Sequence, residues 1–131
     1  MNLWCVPPHD AAQYWPLARY FIAKAINKVG ISDPVRVEFD VVTGAALLWI
    51  AAEDNKVYGA GVTQFADDKR VCEIVAWGAD DHDRCDHLLA ETIEPFARAE
   101  GCTAMRFLGR QGWTRKLPDW RLKAVVLEKA L

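Results

Sequence analysis

The sequence has little serine and no large excess of charge of either sign. Ser32 is the single serine among 131 residues, which argues against a serine-based catalytic triad. The formal net charge is −2, with lysine and arginine spread along the chain, which argues against a nucleic-acid binder that relies on a basic face. No apolar run approaches the roughly 20 residues that span a bilayer, so no membrane insertion is expected.

The sequence also lacks the common cysteine and glycine motifs. Its four cysteines, Cys5, Cys72, Cys85 and Cys102, form no C-x-x-C pair, which excludes zinc ribbons and thioredoxin-like sites and favours buried core thiols. There is no P-loop and no G-x-G-x-x-G fingerprint, so these two nucleotide-binding classes are excluded. The N-terminus lacks a signal-peptide pattern, and we expect residence in the cytoplasm.

The apolar periodicity predicts one α+β (mixed α/β) domain over residues 1–131. A helix begins after Asp10 and ends at Gly30, with an apolar stripe at helical spacing. A second long helix ends at Gly101, and Pro95 should kink it. The predicted strands are 3–6, 46–52, 57–65, 71–77, 102–108 and at least one within 120–131.

One segment fits two structures. Asp33-Pro34 is a good helix start, and Gly44 is a plausible stop. Val35 and Phe39, with Val42, make a helical stripe. The same residues also alternate with charged ones at strand period, so periodicity alone leaves helix and strand open.

The connections between the strands predict their directions. Short polar turns follow the strands that end near Ala52 and Phe65, which indicates an antiparallel meander. The strand–helix–strand unit over 71–108 should pair as a right-handed parallel crossover. The expected architecture is a central, mostly antiparallel sheet of about six strands, flanked by helices.

The stretch GADDHDRCDHLL, residues 78–89, joins a predicted strand to a predicted helix and packs four aspartates with two histidines and a cysteine. An aspartate at a helix start can cap free amides and suits the positive end of the helix dipole. Alternatively, Asp83 with His87, or His82 with Asp86, could share a helix face and hold zinc together with a remote ligand. A phosphate cradle is a third interpretation. The sequence leaves these three open.

Three segments resemble the GNAT superfamily of acetyl-CoA-dependent N-acetyltransferases. LWIAAEDNKVYGAGVTQF, residues 48–65, resembles the second and third GNAT strands, and Cys72-Glu73-Ile74-Val75 resembles the fourth. The tail GRQGWTRKL…VVLEKAL, from Gly109, resembles a small GNAT-like group of bacteriophages and prophages. This resemblance implies a helix over 33–43. It also implies a phage or prophage product, with incorporation into a virion as one option.

The GNAT resemblance locates a cofactor site in the acidic stretch. GNAT proteins bind the CoA pyrophosphate at R/Q-x-x-G-x-G/A, at the start of the helix after the fourth strand. Here the pattern's first residue falls near Asp80, and its glycines fall on Asp83 and Cys85, so the signature is absent. Each unit charge pair at contact costs about 1 kcal/mol even near the dielectric constant of water, and the aspartates should repel pyrophosphate. The cofactor-loop positions are Trp77, Asp83, Arg84 and Cys85, and we expect no cofactor, or acetyl-CoA if the protein is active.

The resemblance also suggests residues for chemistry. Glu73 occupies a strand position where some GNAT enzymes place a general base, although a strand glutamate paired with a cation is the structural alternative. No tyrosine follows Tyr58, so the family's usual proton donor is missing. Arg110 and Trp113 occupy the corresponding region and are the candidate substrate or cleft residues.

These observations give three functional hypotheses. The first is a GNAT-fold protein with a degenerate acetyl-CoA site that serves as a binding or virion-associated module. The alternative is an active N-acetyltransferase that uses Glu73 as base, and the third is a small metal-binding protein. The expected partners are an unknown protein or virion components, with no nucleic acid and no membrane. A homodimer through a sheet edge or the tryptophans is also an option.

Overall fold

The computed structural model describes all of residues 1–131, and its central element is a five-stranded sheet. The strands are β1 (Asn2–Cys5), β2 (Leu47–Glu53), β3 (Lys56–Ala66), β4 (Val71–Ala79) and β5 (Ala104–Phe107). The helices are α1 (Ala11–Val29), α2 (Pro34–Val42), α3 (His82–Cys85) and α4 (Glu94–Ala99). Pro8–Asp10 and Gln111–Arg115 form 3-10 turns, and Leu89–Ile93 forms a π-helical turn.

The strands follow the order β1-β2-β3-β4-β5, with the first three pairings antiparallel and β4–β5 parallel. The predicted α+β class, the meander and the parallel pairing are therefore confirmed. The sheet has five strands rather than about six, because residues 120–131 form no strand and that prediction is wrong. An apolar segment becomes a strand only when its amides find a partner strand, and none lies beside this one.

Both helices before β2 form where the sequence predicted or allowed them. Gly30 ends α1 in the left-handed conformation, with φ of 76°, although Asp10 at its start makes no side-chain cap. The Asp33 carboxylate accepts the Val35 amide at 3.0 Å, so residues 34–42 are helix, as the GNAT resemblance implied. The stripe that α2 buries is Val37 and Val41, whereas the predicted stripe of Val35, Phe39 and Val42 is exposed.

The segment between β4 and β5 is helical but irregular. The π-helical turn Leu89–Ile93 stands directly before α4, and the Glu94 amide donates to the carbonyl of Leu89. Pro95 cannot donate an amide and would clash with a carbonyl of the preceding turn, so the helix widens there. The predicted distortion at Pro95 is confirmed, in the form of a π turn.

Two apolar cores cover the two faces of the sheet. One is formed by α1 and α2 on one face, and its largest fully buried side chain is Ile22. The other is formed by the irregular helical segment on the opposite face and contains Trp49, Trp77 and Ile93. None of the helices is long and apolar enough to cross a membrane.

A bulge divides β4 into two halves. Val62 and Thr63 of β3 face Ala76 and Ile74 of β4, so Val75 is an extra residue in the ladder. Such a bulge bends the strand and re-aims the side chains beyond it. Trp77 consequently lies on the same face as Ile74, in the second core, whereas Ala76 lies in the first.

Candidate functional site: a basic cleft between two parallel strands

The cleft opens where β4 and β5 separate. Their pairing covers only the first half of β4, and the last link is the Leu108 amide donating to the carbonyl of Ile74 at 3.0 Å. Beyond that point β4 stays paired with β3 alone, and a cavity of about 250 Å³ lies between the two diverging ends. Ligands of α/β proteins commonly bind in such crevices at the carboxyl ends of parallel strands. This cleft is therefore the candidate functional site.

Close packing of α1 on β4 forms one wall. A Cβ atom on Gly78 would lie 2.1 Å from the carbonyl oxygen of Phe21, so only glycine allows the helix to approach the strand this closely. Lys24 and Lys28 follow Phe21 at helical spacing and reach the cleft. The contact at Gly78 thus positions two ammonium groups beside the cavity.

The turn after β5 forms the opposite wall. A Cβ atom on Gly109 would lie 2.3 Å from the Phe107 ring and 2.9 Å from the Trp113 ring, so this glycine leaves room for the two rings to pack with centroids 4.8 Å apart. The packed rings hold the 3-10 turn Gln111–Arg115 against the sheet. That turn and its flanks bring Arg110, with its neighbours Arg115 and Lys116, to the cavity.

The charges on the cleft are of one sign. Five lysine or arginine side chains and His82 line the cavity, and no aspartate or glutamate does. Four of the five, Lys24, Lys28, Arg110 and Arg115, form no ion pair with any other group of the chain. Unpaired cations around a concave, partly apolar cavity attract and hold an anion. The cleft therefore has the chemistry of an anion-binding site.

The Asp86 carboxylate contacts three of the side chains that line the cleft. Its carboxylate accepts the Trp77 indole N–H at 2.8 Å and lies 2.9 Å from His82 Nδ1 and 3.3 Å from Lys116 Nζ. The turn after β4 is thereby tied to the turn after β5. The Asp86–His82 contact fixes the imidazole with its other ring nitrogen, Nε2, free of hydrogen bonds to the chain.

Three of the residues predicted for the site line the cleft together. They are Trp77, a predicted cofactor-loop residue, and the predicted cleft residues Arg110 and Trp113. The Trp113 ring also stands edge-on to His82, with centroids 5.6 Å apart. The resemblance to the GNAT tail therefore led to residues that the structure places at one site.

The other three predicted cofactor-loop residues do not line the cleft. Asp83 is exposed to solvent. Arg84 turns away, pairing with Glu53 at 2.7 Å and stacking on the Tyr58 ring at 4.3 Å. Cys85 is fully buried, and burial together with the nearby Asp86 and Asp81 carboxylates raises the pKa of its thiol. A neutral, buried thiol is poorly suited to binding phosphate or acting as a nucleophile.

The predicted base, Glu73, lies outside the cleft. It sits on the paired half of β4, accepts an N–H of the Gln64 side chain at 2.8 Å and pairs with Arg106 at 3.4 Å. Arg106 also reaches Asp67 at 3.0 Å. Glu73 is 8% exposed and does not line the cavity. Its surroundings match the structural alternative, a strand glutamate paired with a cation.

Two of the three interpretations of the acidic stretch after β4, the helix cap and the metal site, do not match the structure. Asp81 occupies the position before α3 but makes no side-chain cap, so the capping interpretation is wrong. His82 and Asp86 do come together, whereas His87 pairs with Glu91 rather than with Asp83. No group of three or more histidine, cysteine, aspartate or glutamate side chains is placed to hold a metal ion. As a phosphate cradle, the stretch offers only a four-residue helical turn.

Sequence reasoning missed most of the cleft's cations. Lys24 and Lys28 lie on α1, about 50 residues before the strand they flank, and no local pattern links the two. Their spacing of four residues was the available signal, because it places both on one helix face. Arg115 and Lys116 were within reach of prediction, since they belong to the same GRQGWTRK run as Arg110.

No protein-family model matches the sequence, and no curated protein matches it either. Solved structures do match over nearly the whole chain. A probable acetyltransferase superposes with a TM-score of 0.68 at 17% identity, covering 99% of each chain. The aminoglycoside acetyltransferase meta-AAC0020 from an uncultured soil metagenomic sample, solved with sisomicin, gives 0.65 at 13% identity, covering 99% of this chain and 95% of its own.

A third structure adds a bound cofactor to the comparison. A predicted acetyltransferase from Clostridium acetobutylicum, solved with acetyl-CoA, gives a TM-score of 0.60 at 14% identity and covers 98% of this chain and 95% of its own. Identities this low show a shared fold. These superpositions show that the chain has the GNAT acetyltransferase fold.

Proposed function

We propose that the protein is a binding module built on the GNAT fold, with a degenerate acetyl-CoA site and a cleft that holds a small anionic group of its partner. The observation that carries this proposal is the lining of the cleft, which has five lysine or arginine side chains and no carboxylate. The partner would present a carboxylate or phosphate, as an acidic peptide or a small-molecule anion does.

The region after β4 supports weak binding of CoA. Asp80, Asp81 and Asp83 are exposed there and carry no compensating ion pair. A pyrophosphate seated against this turn would meet three negative charges, each costing about 1 kcal/mol or more at contact. Lys116 and Trp113, which line the cleft, also contact the turn after β4 through Asp86 and His82. The cavity of about 250 Å³ is below the roughly 300–1,000 Å³ typical of ligand pockets.

Isothermal titration calorimetry tests the two halves of this proposal separately. Acetyl-CoA should show no saturable binding at micromolar concentrations, whereas citrate, inorganic phosphate or an acidic peptide should bind and weaken as salt rises. Lys24→Gln should weaken the binding of the best anion about tenfold, since one charge-assisted contact is lost. Lys56→Gln, outside the cleft, is the matched control and should change nothing. Micromolar binding of acetyl-CoA would contradict the degenerate site.

A virion-associated role in a phage or prophage is the finer form of the proposal. Its support is the resemblance of the tail from Gly109 to small GNAT-like phage proteins. The supporting chemistry is that a cleft for anionic groups suits an acidic segment of a neighbouring protein. Mass spectrometry of particles purified after induction of the lysogen tests it. The chain should copurify with the particles in fixed ratio, and its absence from them would reject the virion role.

An active acyltransferase is the second candidate, because His82 faces the cleft. Its Nδ1 is held by Asp86 at 2.9 Å, which leaves Nε2 to take a proton from an amine. In acyl transfer the amine nitrogen would form a bond to the acyl carbon, the thioester C–S bond would break, and the thiolate would leave and take up a proton. The fold supports this candidate, whereas the acidic turn after β4 opposes it.

Acetyl transfer to a panel of amines, measured by release of free CoA thiol, tests the acyltransferase candidate. Activity that falls at least about 100-fold in His82→Gln would establish it, since a general base contributes roughly 10²–10⁴-fold. Glu73→Gln is the control and should retain activity, because Glu73 lies outside the cleft. No thiol release above the uncatalysed rate would leave the binding module as the function.

A further inference from the structure

The unpaired cations of the cleft are divided between its two walls. Lys24 and Lys28 belong to α1 and are four residues apart, so they share one face of that helix. Arg110 directly precedes the 3-10 turn after β5, and Arg115 ends that turn. None of the four forms an ion pair within the chain. Each wall therefore offers two uncompensated positive charges, and separate elements hold the two pairs.

The rest of the lining is apolar. Apart from the five cations and His82, every residue that lines the cavity is hydrophobic or glycine. The indole N–H of Trp77 already donates to Asp86 at 2.8 Å, so it is not available to a ligand. A polar group buried against such a surface loses its hydrogen bonds to water, whereas a hydrocarbon group loses none. A ligand that fills the cleft therefore meets positive charge at two places and an apolar surface elsewhere.

The size of the cavity limits the ligand to a small molecule. Its volume of about 250 Å³ equals that of about eight water molecules in the liquid. An organic molecule with a similar number of non-hydrogen atoms fills it. A folded protein segment is too large to enter.

We propose that the ligand of the cleft is a small dianion whose two anionic groups are separated by a short apolar spacer, as in an α,ω-dicarboxylate. This inference rests on the proposed anion-binding function and specifies the class of anion. One carboxylate binds between Lys24 and Lys28, and the other binds to Arg110 and Arg115, whose planar guanidinium groups match a carboxylate. The carbon chain between them lies against the apolar lining.

Other anions match only part of this arrangement. A monoanion reaches the cations of one wall and leaves those of the other wall without a counter-charge. Inorganic phosphate carries enough charge, but it has no apolar part to cover the rest of the lining. An acidic peptide supplies two carboxylates, but its backbone amides and carbonyls lose their hydrogen bonds to water against an apolar surface. A short dicarboxylate has both the charges and the hydrocarbon.

Isothermal titration calorimetry with a series of dicarboxylates, from malonate to suberate, tests the proposal at neutral pH and low salt. Affinity should pass through a maximum at one chain length, where both carboxylates reach their walls without strain. The best dicarboxylate should bind at least about tenfold more tightly than the monocarboxylate with the same number of carbons, because it makes a second charge-assisted contact. It should also bind more tightly than inorganic phosphate and a peptide with two glutamates.

Two variants test each wall separately. Lys28→Gln and Arg110→Gln each remove one exposed charge that has no partner in the chain, so both should fold normally, and circular dichroism checks this. Each variant should weaken the binding of the best dicarboxylate about tenfold. At most one of them should weaken the binding of the matching monocarboxylate, which reaches one wall. Lys56→Gln, outside the cleft, should change neither affinity.

The possible results separate this proposal from the anion-binding function on which it rests. Equal affinity for the dicarboxylate and the monocarboxylate would overturn the dianion and leave anion binding in place. Affinity that rises steadily with chain length would also overturn it, because apolar contact alone would then explain the series. Tighter binding of the acidic peptide would assign the cleft to a protein segment instead. Binding of no anion at all would overturn both the dianion and the proposed function.

Discussion

Each half of β4 contacts a carboxylate that accepts hydrogen bonds, and the two carboxylates lie in different surroundings. In the first half, Glu73 accepts a hydrogen bond from Gln64 and pairs with Arg106, and β5 covers the strand. In the second half, Asp86 holds Trp77 and His82 in a wall that faces an open cavity. The groups of the first network contact only one another, whereas the second orients Trp77 and His82 toward the cleft. The Val75 bulge separates them, so one strand contributes both a sealed sheet and a site.

The largest expected effect concerns the wall that α1 forms on the open half. Gly78→Ala should lower the free energy of unfolding by about 3 kcal/mol, because its Cβ would overlap the Phe21 carbonyl, a backbone atom that cannot turn aside. Urea denaturation followed by tryptophan fluorescence measures the change. Gly112→Ala, whose Cβ would lie 3.7 Å from its nearest neighbour, should change stability by less than about 0.5 kcal/mol. Equal losses in the two variants would contradict the close contact.

The second prediction concerns the Cys72 thiol and whether water reaches it in the paired half of β4. Burial, together with the nearby Cys102 thiol, raises the pKa of the Cys72 thiol from 9.0 to about 11. The folded protein therefore holds this proton more tightly than the unfolded chain, so stability is full below pH 9 and falls as pH rises toward 11. The loss attributable to this thiol should reach about 2.5 kcal/mol, at 1.36 kcal/mol per pKa unit.

The measurement is the pH dependence of unfolding in urea for the wild type and Cys72→Ala. The variant should lose stability less steeply than the wild type between pH 9 and 11, whatever its absolute stability. Parallel curves for the two proteins would mean that Cys72 is hydrated and that this half of the sheet is less sealed than the structure indicates.

The third prediction concerns the Asp86 carboxylate, which contacts Trp77, His82 and Lys116. Asp86→Ala leaves the buried Trp77 indole N–H without an acceptor and frees His82 and Lys116, so stability should fall by about 2 kcal/mol. Urea denaturation measures it, and anion binding by calorimetry should weaken in the same variant because the wall loses its order. Asp83→Ala, an exposed aspartate three residues earlier, should leave both quantities unchanged. If anion binding weakened in Asp83→Ala alone, the anion site would lie at the turn after β4 and not in the cleft.

The smallest expected effect concerns Glu73, in the half of β4 that pairs with β5. Glu73→Gln removes the ion pair with Arg106 and should cost about 1 kcal/mol of stability, since the pair is partly buried but Arg106 keeps Asp67. Calorimetry with the anion that binds best should give the same affinity as the wild type. A loss of ligand affinity without a loss of stability would place Glu73 in the function and remove the distinction between the halves.

The sequence predicted the fold better than the site, for a physical reason. Apolar residues recur at a characteristic spacing within one helix or strand, so α1 and β2 to β5 were all predictable from neighbouring residues. Residues 34–42 carried two periods at once, and the helical stripe chosen there, including Phe39, is the exposed one. Only tertiary packing selects between such stripes.

The cleft depends on groups that are distant in sequence. Arg110 and Trp113 were accessible through the resemblance of their motif, whereas Lys24 and Lys28 become site residues only because Gly78 admits α1 to the sheet. The sixth strand failed for the opposite reason. Val125 and Val126 have the composition of a strand, but composition cannot supply the neighbouring edge that a strand needs.

The single extra residue at Val75 sets the bend of β4 and leaves its register with β3 intact. Val75 and Ala76 both point to the first core, so deleting Val75 would remove the bulge and leave Trp77 and Gly78 on the faces that they occupy now. The strand would lose its local bend, and with it the direction in which its open half leaves β5. An engineer who wishes to change the width of the cleft and keep the side chains that line it can therefore begin with this deletion.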